Sequence, residues 1–306
     1  MIRNFMSELK SRSSILYWFG WINIALFALA FVLLFLDTTM IMGINAWVKP
    51  MKFALSICIY AWTYGWLLHY SSNTSANKLI IAGLIISMTM EVSLIFMQAF
   101  RGTSSHFNVH TAFDGIVFGI MGLFIALNTI VNLYTVVIFF TKDITINGLA
   151  LSAWRSGLIL FFLGGISGGW MVAILSHTVG ASDGGPGLPF LNWSTMAGDI
   201  RAAHFVTMHA LQVIPLVTYG LTQTIGDKSG RWAALFTVGY ATMAIYLHYL
   251  AWSGLPVIGS ISEYLPSIRR ADAKLKLRYF TGVTAALVGA WIMLLVVEFI
   301  QRSMVA

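Results

Sequence analysis

The chain has 306 residues, of which 58% are apolar and only 9% are charged. A soluble domain usually carries about 25% charged residues, so this composition excludes an ordinary soluble domain and indicates an integral membrane protein. The net charge of +7 comes mainly from short connections between apolar runs. Lysine and arginine there set membrane orientation and contact anionic lipid headgroups, and the chain carries no motif for binding nucleic acid.

Apolar runs of about 20 residues follow one another along the chain and predict an all-α bundle of about eight transmembrane helices. Helices are expected in hydrocarbon because each backbone group then finds its partner within its own segment. The first run is too long for the core of a signal peptide, so we expect it to be retained. We treat residues 1–306 as one membrane domain. The predicted spans are 15–36, 50–70, 79–99, 112–140, 155–177, 203–225, 231–252 and 279–301.

The balance of lysine and arginine between the connections predicts that the N-terminus lies on the inner side of the membrane. Residues 260–278 oppose this orientation because they are basic and would lie outside. Either this stretch forms an amphipathic surface helix, or the number of spans near the C-terminus is wrong by one. Residues 52–68 and 204–222 each begin with a basic or imidazole residue before phenylalanine and contain Thr-Tyr-Gly. A four-plus-four internal repeat and coincidence between apolar segments both explain this similarity.

Glu91 is the one acid well inside an apolar run, and Gln98 shares its face of span three. A lone carboxylate in hydrocarbon costs free energy unless it is protonated or paired. We expect its partner to be one of the cations near the same end, namely Lys52, Arg101 or Arg201. A structural hydrogen bond to a neighbouring helix is the alternative.

The connection QAFRGTSSHFNVHTAFD, residues 98–114, concentrates polar side chains between two apolar runs. His106, His110 and Asp114 follow one another at intervals of four and would line one stripe if span four began early enough. Two imidazoles spaced in this way can bind one metal ion, with Asp114 as a third ligand or as an acceptor that orients an imidazole. A capping role, with a serine before His106 as the cap, is the alternative.

The motif GGISGGW, residues 164–170 of span five, has glycine pairs at four-residue spacing. Such pairs let another helix or a flat cofactor approach closely, and helix packing is the simpler interpretation. The following loop, residues 177–201, is rich in glycine and proline but carries few charges. Its DGGPG segment predicts tight turns. We therefore expect an ordered lid, with a plain surface loop as the alternative.

His204, His209 and Gln212 lie within one broad face of span six, and intramembrane histidines rarely face lipid. The predicted topology brings histidines from several connections and spans to one membrane face, whereas His69 lies at the other. The histidines of that shared face are His106, His110, His177, His204, His209 and His248.

Four segments together resemble a widespread group of bacterial polytopic inner-membrane proteins of unassigned function. These segments are WVKPMKFALS, QAFRGTSSHFN, SDGGPGLPFLNWS and GDIRAAHFVTMHALQVIP, and they contain the motifs QAxRGxxSHFN and DGGPGLP…HFxxxHxLQ. The resemblance covers the chain up to about residue 255, and it is specific as a set although each segment is weak alone. It implies a helical protein of the inner (cytoplasmic) membrane and brings no activity with it.

Three functions are open at this point. The first is a site at the outer membrane face for a transition metal ion (Zn, Cu or Fe) or haem b, which could be redox-active. Arginines would hold propionates or an anionic substrate, and carboxylates would move protons. The candidate residues are His106, His110, His177, His204 and His209 as metal ligands, Arg101, Arg201, Gln98 and Gln212 as cofactor-binding residues, and Glu91 and Asp114 as catalytic residues.

The second function is a carrier or receptor for a small anion, a lipid headgroup or a quinone, in which Glu91 couples binding to a proton. A four-plus-four repeat would fit a carrier, but polar residues at one face favour a one-sided pocket. The third function is a structural or assembly subunit whose polar face docks another protein. The expected partners are membrane lipids and a small ligand or metal ion, and an oligomer is compatible with each function.

Overall fold

Long helices make up most of the computed structural model, which describes residues 2–146 and 148–258. The predicted span 279–301 and the basic stretch 260–278 lie outside the described residues. The elements are α1 (Ile2–Arg12), α2 (Ser14–Leu36), β1 (Met40–Ile41), β2 (Ile44–Asn45), α3 (Val48–Leu67), α4 (Thr74–Phe100), α5 (Ala112–Thr141), α6 (Gly148–Ile174), β3 (Thr178–Val179), β4 (Gly198–Asp199), α7 (Ile200–Ile225) and α8 (Ser229–Trp252).

The helices α2 to α8 lie where the first seven spans are predicted, because long apolar runs determine where helices form in such a chain. Within the described residues, five helical segments are long and apolar enough to cross a membrane. The last of them, Ile200–Trp252, joins α7 and α8 through a short 3₁₀ turn. These segments make the protein a helical, multi-pass membrane protein. The total of eight spans and the internal repeat stay predictions.

The chain divides into two compact units. Unit one comprises Met1–Phe162 and His209–Thr237, and unit two comprises Leu163–Met208 and, as far as the chain is described, residues 238–258. In unit one α2 packs on α3, α3 packs on α4, and α4 packs on α5. Neighbouring helices in the sequence are therefore neighbours in space, as short connections require.

Polar side chains in the connections fix where the helices of unit one begin. The side chains of Ser13, Asn73 and Thr111 accept hydrogen bonds from backbone N–H groups in the first turns of α2, α4 and α5. Each cap satisfies one backbone donor that the first turn of a helix leaves without an intrahelical partner.

Gly102 ends α4. Its φ of 68° is left-handed, a conformation that glycine adopts without steric cost. The N–H of Gly102 donates to the carbonyl of Ala99, and the N–H of Thr103 donates to the carbonyl of Gln98. These two bonds form a Schellman cap, which turns the chain out of α4 into the connection.

Asp37 organises the connection between α2 and α3. It accepts hydrogen bonds from the hydroxyl and backbone N–H of Thr39 and, at 2.8 Å, from the indole N–H of Trp47. The bonds from Thr39, followed by that from Trp47, lower the pKa of Asp37 because they stabilise its charged form. The strands β1 and β2 pair as a hairpin between these residues.

Unit two contains the antiparallel pair β3 and β4, in which Thr178 lies opposite Asp199. Gly198 of β4 lies directly against the backbone of α8, since a Cβ at this position would come within 1.9 Å of the carbonyl oxygen of Ala251. The close approach requires glycine and holds the end of the 177–201 loop against α8.

A buried polar network joins α3, α4 and α5. The hydroxyl of Tyr64 donates to Oδ1 of Asn132, and the one hydroxyl hydrogen of Tyr60 is shared between Oδ1 of Asn132 at 3.1 Å and Oδ1 of Asn128 at 3.0 Å. Ser87 contacts the same Asn128 oxygen at 3.4 Å, while Asn132 donates to the backbone carbonyl of Asn128 at 2.6 Å. The network therefore satisfies polar groups that would otherwise be unpaired inside an apolar bundle.

We expect the substitution Asn132→Leu to lower the free energy of unfolding by about 0.6–1.7 kcal/mol, because it removes the interhelical hydrogen bond from Tyr64, whereas Tyr60 keeps its bond to Asn128. Thermal or denaturant unfolding of the protein in detergent measures this change. Thr129→Val is the matched control on α5, because among the described residues the Thr129 hydroxyl bonds to the Ile125 carbonyl of its own helix and to no other helix. Equal stability of the two variants would contradict a stabilising role for the network.

Candidate functional site

An ion pair closes the connection between α4 and α5. Nη1 of Arg101 lies 2.6 Å from Oδ1 of Asp114, whose side chain is buried. Gln98 donates to the same oxygen at 2.9 Å, and the hydroxyl of Thr111 donates to Oδ2 at 2.6 Å. Arg101 also donates to Oε1 of Gln98. The structure thus brings together three predicted site residues, and it uses them to hold this connection.

The predicted stripe of His106, His110 and Asp114 does not form, because α5 begins only at Ala112. Thr111 stops the helix from extending toward the histidines: it caps α5 by accepting from the N–H of Asp114 at 3.1 Å. Both histidines consequently lie in the connection, and only Asp114 lies on the helix. The capping residue is therefore a threonine that follows the two histidines, and not a serine before His106.

His106 and His110 differ in their surroundings. Nδ1 of His106 lies 3.1 Å from the hydroxyl of Ser105, and its half-buried ring contacts aromatic neighbours. His110 is exposed, and its backbone N–H donates to Oδ1 of Asn108 at 3.4 Å. The rings around His106 are those of Phe53, Phe107 and Phe118.

Asp183 organises the 177–201 loop of unit two. Its carboxylate accepts from Nδ1 of His177 at 2.7 Å, from the backbone N–H groups of His177 and Thr178, each at 2.9 Å, and from the hydroxyl groups of Ser176 and Thr178. Burial raises the pKa of Asp183, but the hydrogen bonds from His177 and Thr178 outweigh it and hold the pKa well below its usual value. These hydrogen bonds hold residues 176–183 at the start of the loop, and one ring nitrogen of His177 is used within it.

Arg201 pairs with Asp199, which is fully buried. Nε and Nη2 of the arginine donate to the two carboxylate oxygens at 2.9 and 2.6 Å. Oδ2 of Asp199 also accepts from the backbone N–H of Ser194 at 2.7 Å, and Arg201 donates to the carbonyl of Asn192. This fork-to-fork pair binds the loop to the start of α7.

The glycines of GGISGGW allow α6 and α7 to approach closely within unit two. A Cβ on Gly164 would lie 3.0 Å from Met208, and a Cβ on Gly168 would lie 3.2 Å from the ring of His204. Nδ1 of His204 lies 2.8 Å from the carbonyl oxygen of Gly164 and 3.1 Å from the hydroxyl of Ser167. The motif therefore serves helix packing, and the packing orients His204.

His209 and Gln212 lie in unit one. Nε2 of Gln212 donates to the hydroxyl of Thr63 on α3 at 3.2 Å. Oε1 of Gln212 is buried and has no hydrogen-bond partner among the residues that the structure describes. His209 is half-buried, one turn earlier on α7.

Glu91 lies in the interior of unit one and is only 2% exposed. Its Oε1 has no hydrogen-bond partner within residues 2–146 and 148–258. It lies nine residues before Phe100, the last residue of α4, which places it about 13 Å along the helix from that end at about 1.5 Å per residue. Ile95, one turn onward, belongs to an apolar cluster with Val117 and Met121. Glu91 is therefore an incompletely paired carboxyl group deep within an apolar bundle.

The cation whose charge acts on Glu91 is Lys49, at the beginning of α3. Of the cations expected from the sequence, Arg101 pairs with Asp114 and Arg201 pairs with Asp199. Lys49 was not among them, because the sequence does not show which residue at the start of one helix faces the interior of the next.

Sequence reasoning also missed the network of Tyr60, Tyr64, Asn128 and Asn132. A signal was present: two asparagines four residues apart in the apolar run ALNTIVNLY lie on one helix face. Buried amides on one stripe of a transmembrane helix indicate a polar partner on the next helix.

The histidines predicted as ligands are divided between the units: His106, His110 and His209 belong to unit one, and His177 and His204 belong to unit two. In the part of the chain that the structure describes, no three histidine, cysteine or acidic side chains form a group that could hold a metal ion.

Comparisons with protein-family models, with curated proteins and with solved structures found no match. The class of protein therefore follows from the structure alone. It is a helical, multi-pass membrane protein that carries a carboxyl group in its interior.

We expect the 177–201 loop to keep its order from neutral pH down to below the ordinary aspartate pKa of about 3.9. The lowered pKa of Asp183 means that its stabilising contribution is present above the unfolded-state pKa and is lost only as the pH falls through the folded-state pKa. Hydrogen exchange of the Thr178 amide over this pH range measures the order of the loop.

In limited proteolysis at neutral pH, Asp183→Asn should be cut in the loop faster than the unsubstituted protein, because an amide presents N–H groups where donors already converge. Ser182→Ala is the control, since Ser182 is an exposed neighbour. A loop that loosens at about pH 5, well above the aspartate range, would count against this account.

Proposed function

We propose that this protein is a carrier or receptor of the bacterial cytoplasmic membrane that binds a small anion together with a proton, with Glu91 as the proton-binding group. An intramembrane ionisable residue that is not fully paired marks a functional site more often than a structural one. The single observation that carries the proposal is the partnerless, buried Oε1 of Glu91 within the described chain.

A comparison with the other buried acids supports this role. Asp114 accepts three side-chain hydrogen bonds, and Asp199 accepts a bidentate arginine. The chain therefore supplies full sets of donors where a carboxylate has only a structural role. Glu91 keeps an acceptor oxygen for a proton or a ligand.

Lys49 suggests how a proton and an anion would bind together. With Glu91 ionised, its charge and that of Lys49 compensate each other. When Glu91 takes up a proton, an anion bound beside Lys49 restores the balance of charge. The summed charge of the site is zero in both states, so neither state leaves an uncompensated charge inside the bundle. Binding should therefore strengthen as the pH falls.

The orientation predicted from the sequence places the N-terminus inside, so the end of α4 and the beginning of α3 would face outward. A ligand would then enter Glu91's site from the outer side. The concentration of other polar groups near that end, including Arg101 and Asp114, is consistent with a one-sided entrance. A small anion is the ligand class that Lys49 favours over a neutral molecule.

The test is the binding of chloride and of nitrate, whose charge is the same at both pH values, by the full-length protein in detergent, measured calorimetrically at about pH 5 and about pH 8. We expect at least one of these anions to bind. Its affinity should fall by up to about tenfold for each unit by which the pH rises, because binding takes up one proton. Glu91→Gln mimics the protonated acid and should bind the anion equally at both pH values. Lys49→Met should bind it at neither.

Asp227→Asn serves as the control, because Asp227 is an exposed acid in the turn between α7 and α8, and it should retain the pH dependence of the unsubstituted protein. If neither anion binds, or if Glu91→Gln keeps the full pH dependence, the proposal is wrong.

A metal ion or haem b is the second candidate, and one observation favours it. Nδ1 of His204 lies 2.8 Å from the carbonyl oxygen of Gly164, and ligating histidines commonly donate their other ring N–H to a backbone carbonyl. Under this alternative the candidate ligands in unit two are His177 and His204.

Elemental analysis and an absorption spectrum of the purified protein test the second candidate. A stoichiometric metal content that falls in His204→Phe but not in His69→Phe would support it. His69 is an exposed histidine in the short turn that follows α3. A metal content that is the same in both variants would argue against His204 as a ligand.

A further inference from the structure

Two ring nitrogens on one face of α8 lack partners inside unit two. His248 is 9% exposed, and its Nε2 is buried without a hydrogen-bond partner among the described residues. Nε1 of Trp252, one helical turn onward, is likewise buried and has no partner there. Buried polar groups are nearly always hydrogen-bonded, so two such groups on adjacent turns need an explanation.

The hydrogen bond at the other ring nitrogen sets the chemistry of His248. Its Nδ1 lies 2.8 Å from the carbonyl oxygen of Ala244. A carbonyl oxygen can only accept, so Nδ1 carries the hydrogen, and Nε2 of the neutral ring presents a lone pair. The indole N–H of Trp252 can only donate. The face of α8 therefore offers one acceptor and one donor.

Trp170 of α6 lies against both rings. Its centroid is 5.7 Å from that of His248 and 5.8 Å from that of Trp252, with interplanar angles of 86° and 74°. We call Trp170, His248 and Trp252 the Trp170 cluster. Edge-to-face packing of this kind fixes the ring planes and hence the directions of the two nitrogens.

We propose that the Trp170 cluster binds the hydroxyl group of a lipid-soluble phenol, and that its ligand is a hydroquinone. A hydroxyl group can donate to Nε2 of His248 and accept from Nε1 of Trp252 at the same time. The aromatic rings provide an apolar surface for the ring of the ligand.

A bound water is the simplest other occupant, and the surroundings favour it less. Buried waters make about two to four hydrogen bonds, so the two unmet groups of the described cluster satisfy a water only at the lower end of that range. A phenolic hydroxyl needs only those two. Its ring also gains contact with the indole surfaces, which a water cannot use.

The experiment compares tetramethylhydroquinone with its dimethyl ether on the full-length protein in detergent, by titration calorimetry. The ether can still accept from Trp252 but has no hydrogen to donate to His248. We expect the hydroquinone to bind at least about tenfold more tightly than the ether, the factor that corresponds to about 1.4 kcal/mol. This comparison needs no substitution, so it does not depend on how a variant folds.

Substitutions then locate the site. Trp252→Phe keeps the ring but removes the donor, and it should weaken hydroquinone binding about tenfold, in the range expected for one buried hydrogen bond. His248→Leu should make the hydroquinone and the ether bind equally. Trp232→Phe is the matched control, because Trp232 is an exposed tryptophan of the same helix, and it should bind as the unsubstituted protein does.

Three results would overturn the proposal: no hydroquinone binding by the folded protein, equal binding of the ether and the hydroquinone, or unchanged binding in both Trp252→Phe and His248→Leu. The first result would indicate a structural water at the cluster. These outcomes are independent of anion binding at Glu91, because the two experiments use different ligands and different residues.

Discussion

The pairing of every buried polar group in an environment without water is the constraint on which the other features of this protein depend. An unpaired carboxylate or amide in an apolar bundle costs several kcal/mol. An amide must therefore find a hydrogen-bond partner, and a carboxylate must find a partner or take up a proton. The Asn132 network and the Arg101–Asp114 and Arg201–Asp199 pairs all meet this requirement. They fix the positions of the helices and of the connections between them.

Among the buried acids of the described residues, Glu91 departs from this pattern and points to function. The sequence had suggested a site built from histidines at one membrane face. In the structure Arg101, Asp114 and Arg201 form ion pairs that hold connections between helices. The candidate site is instead the carboxyl group of Glu91 in the interior of unit one. The same reasoning identifies the Trp170 cluster in unit two, where the unpaired groups are a histidine and a tryptophan.

The positions of the helices could be predicted from the sequence, because long apolar runs and polar connections determine them locally. Even the start of α5 at Ala112 agrees with the predicted span. The contacts of the site could not be predicted. Tyr64 and Asn132 are 68 residues apart, and nothing local indicates that they meet. The four-residue spacing of His106 and His110 suggested a helical pair, but the cap at Thr111 leaves both outside the helix.

The central claim is that Glu91 exchanges a proton while it is buried, and infrared difference spectroscopy of the protein tests this claim most directly. Titration between about pH 4 and about pH 9 should produce the carbonyl band of a protonated carboxylic acid that is absent from Glu91→Gln. Addition of the bound anion should strengthen this band at constant pH. Identical difference spectra of the unsubstituted protein and Glu91→Gln over the whole range would contradict the account.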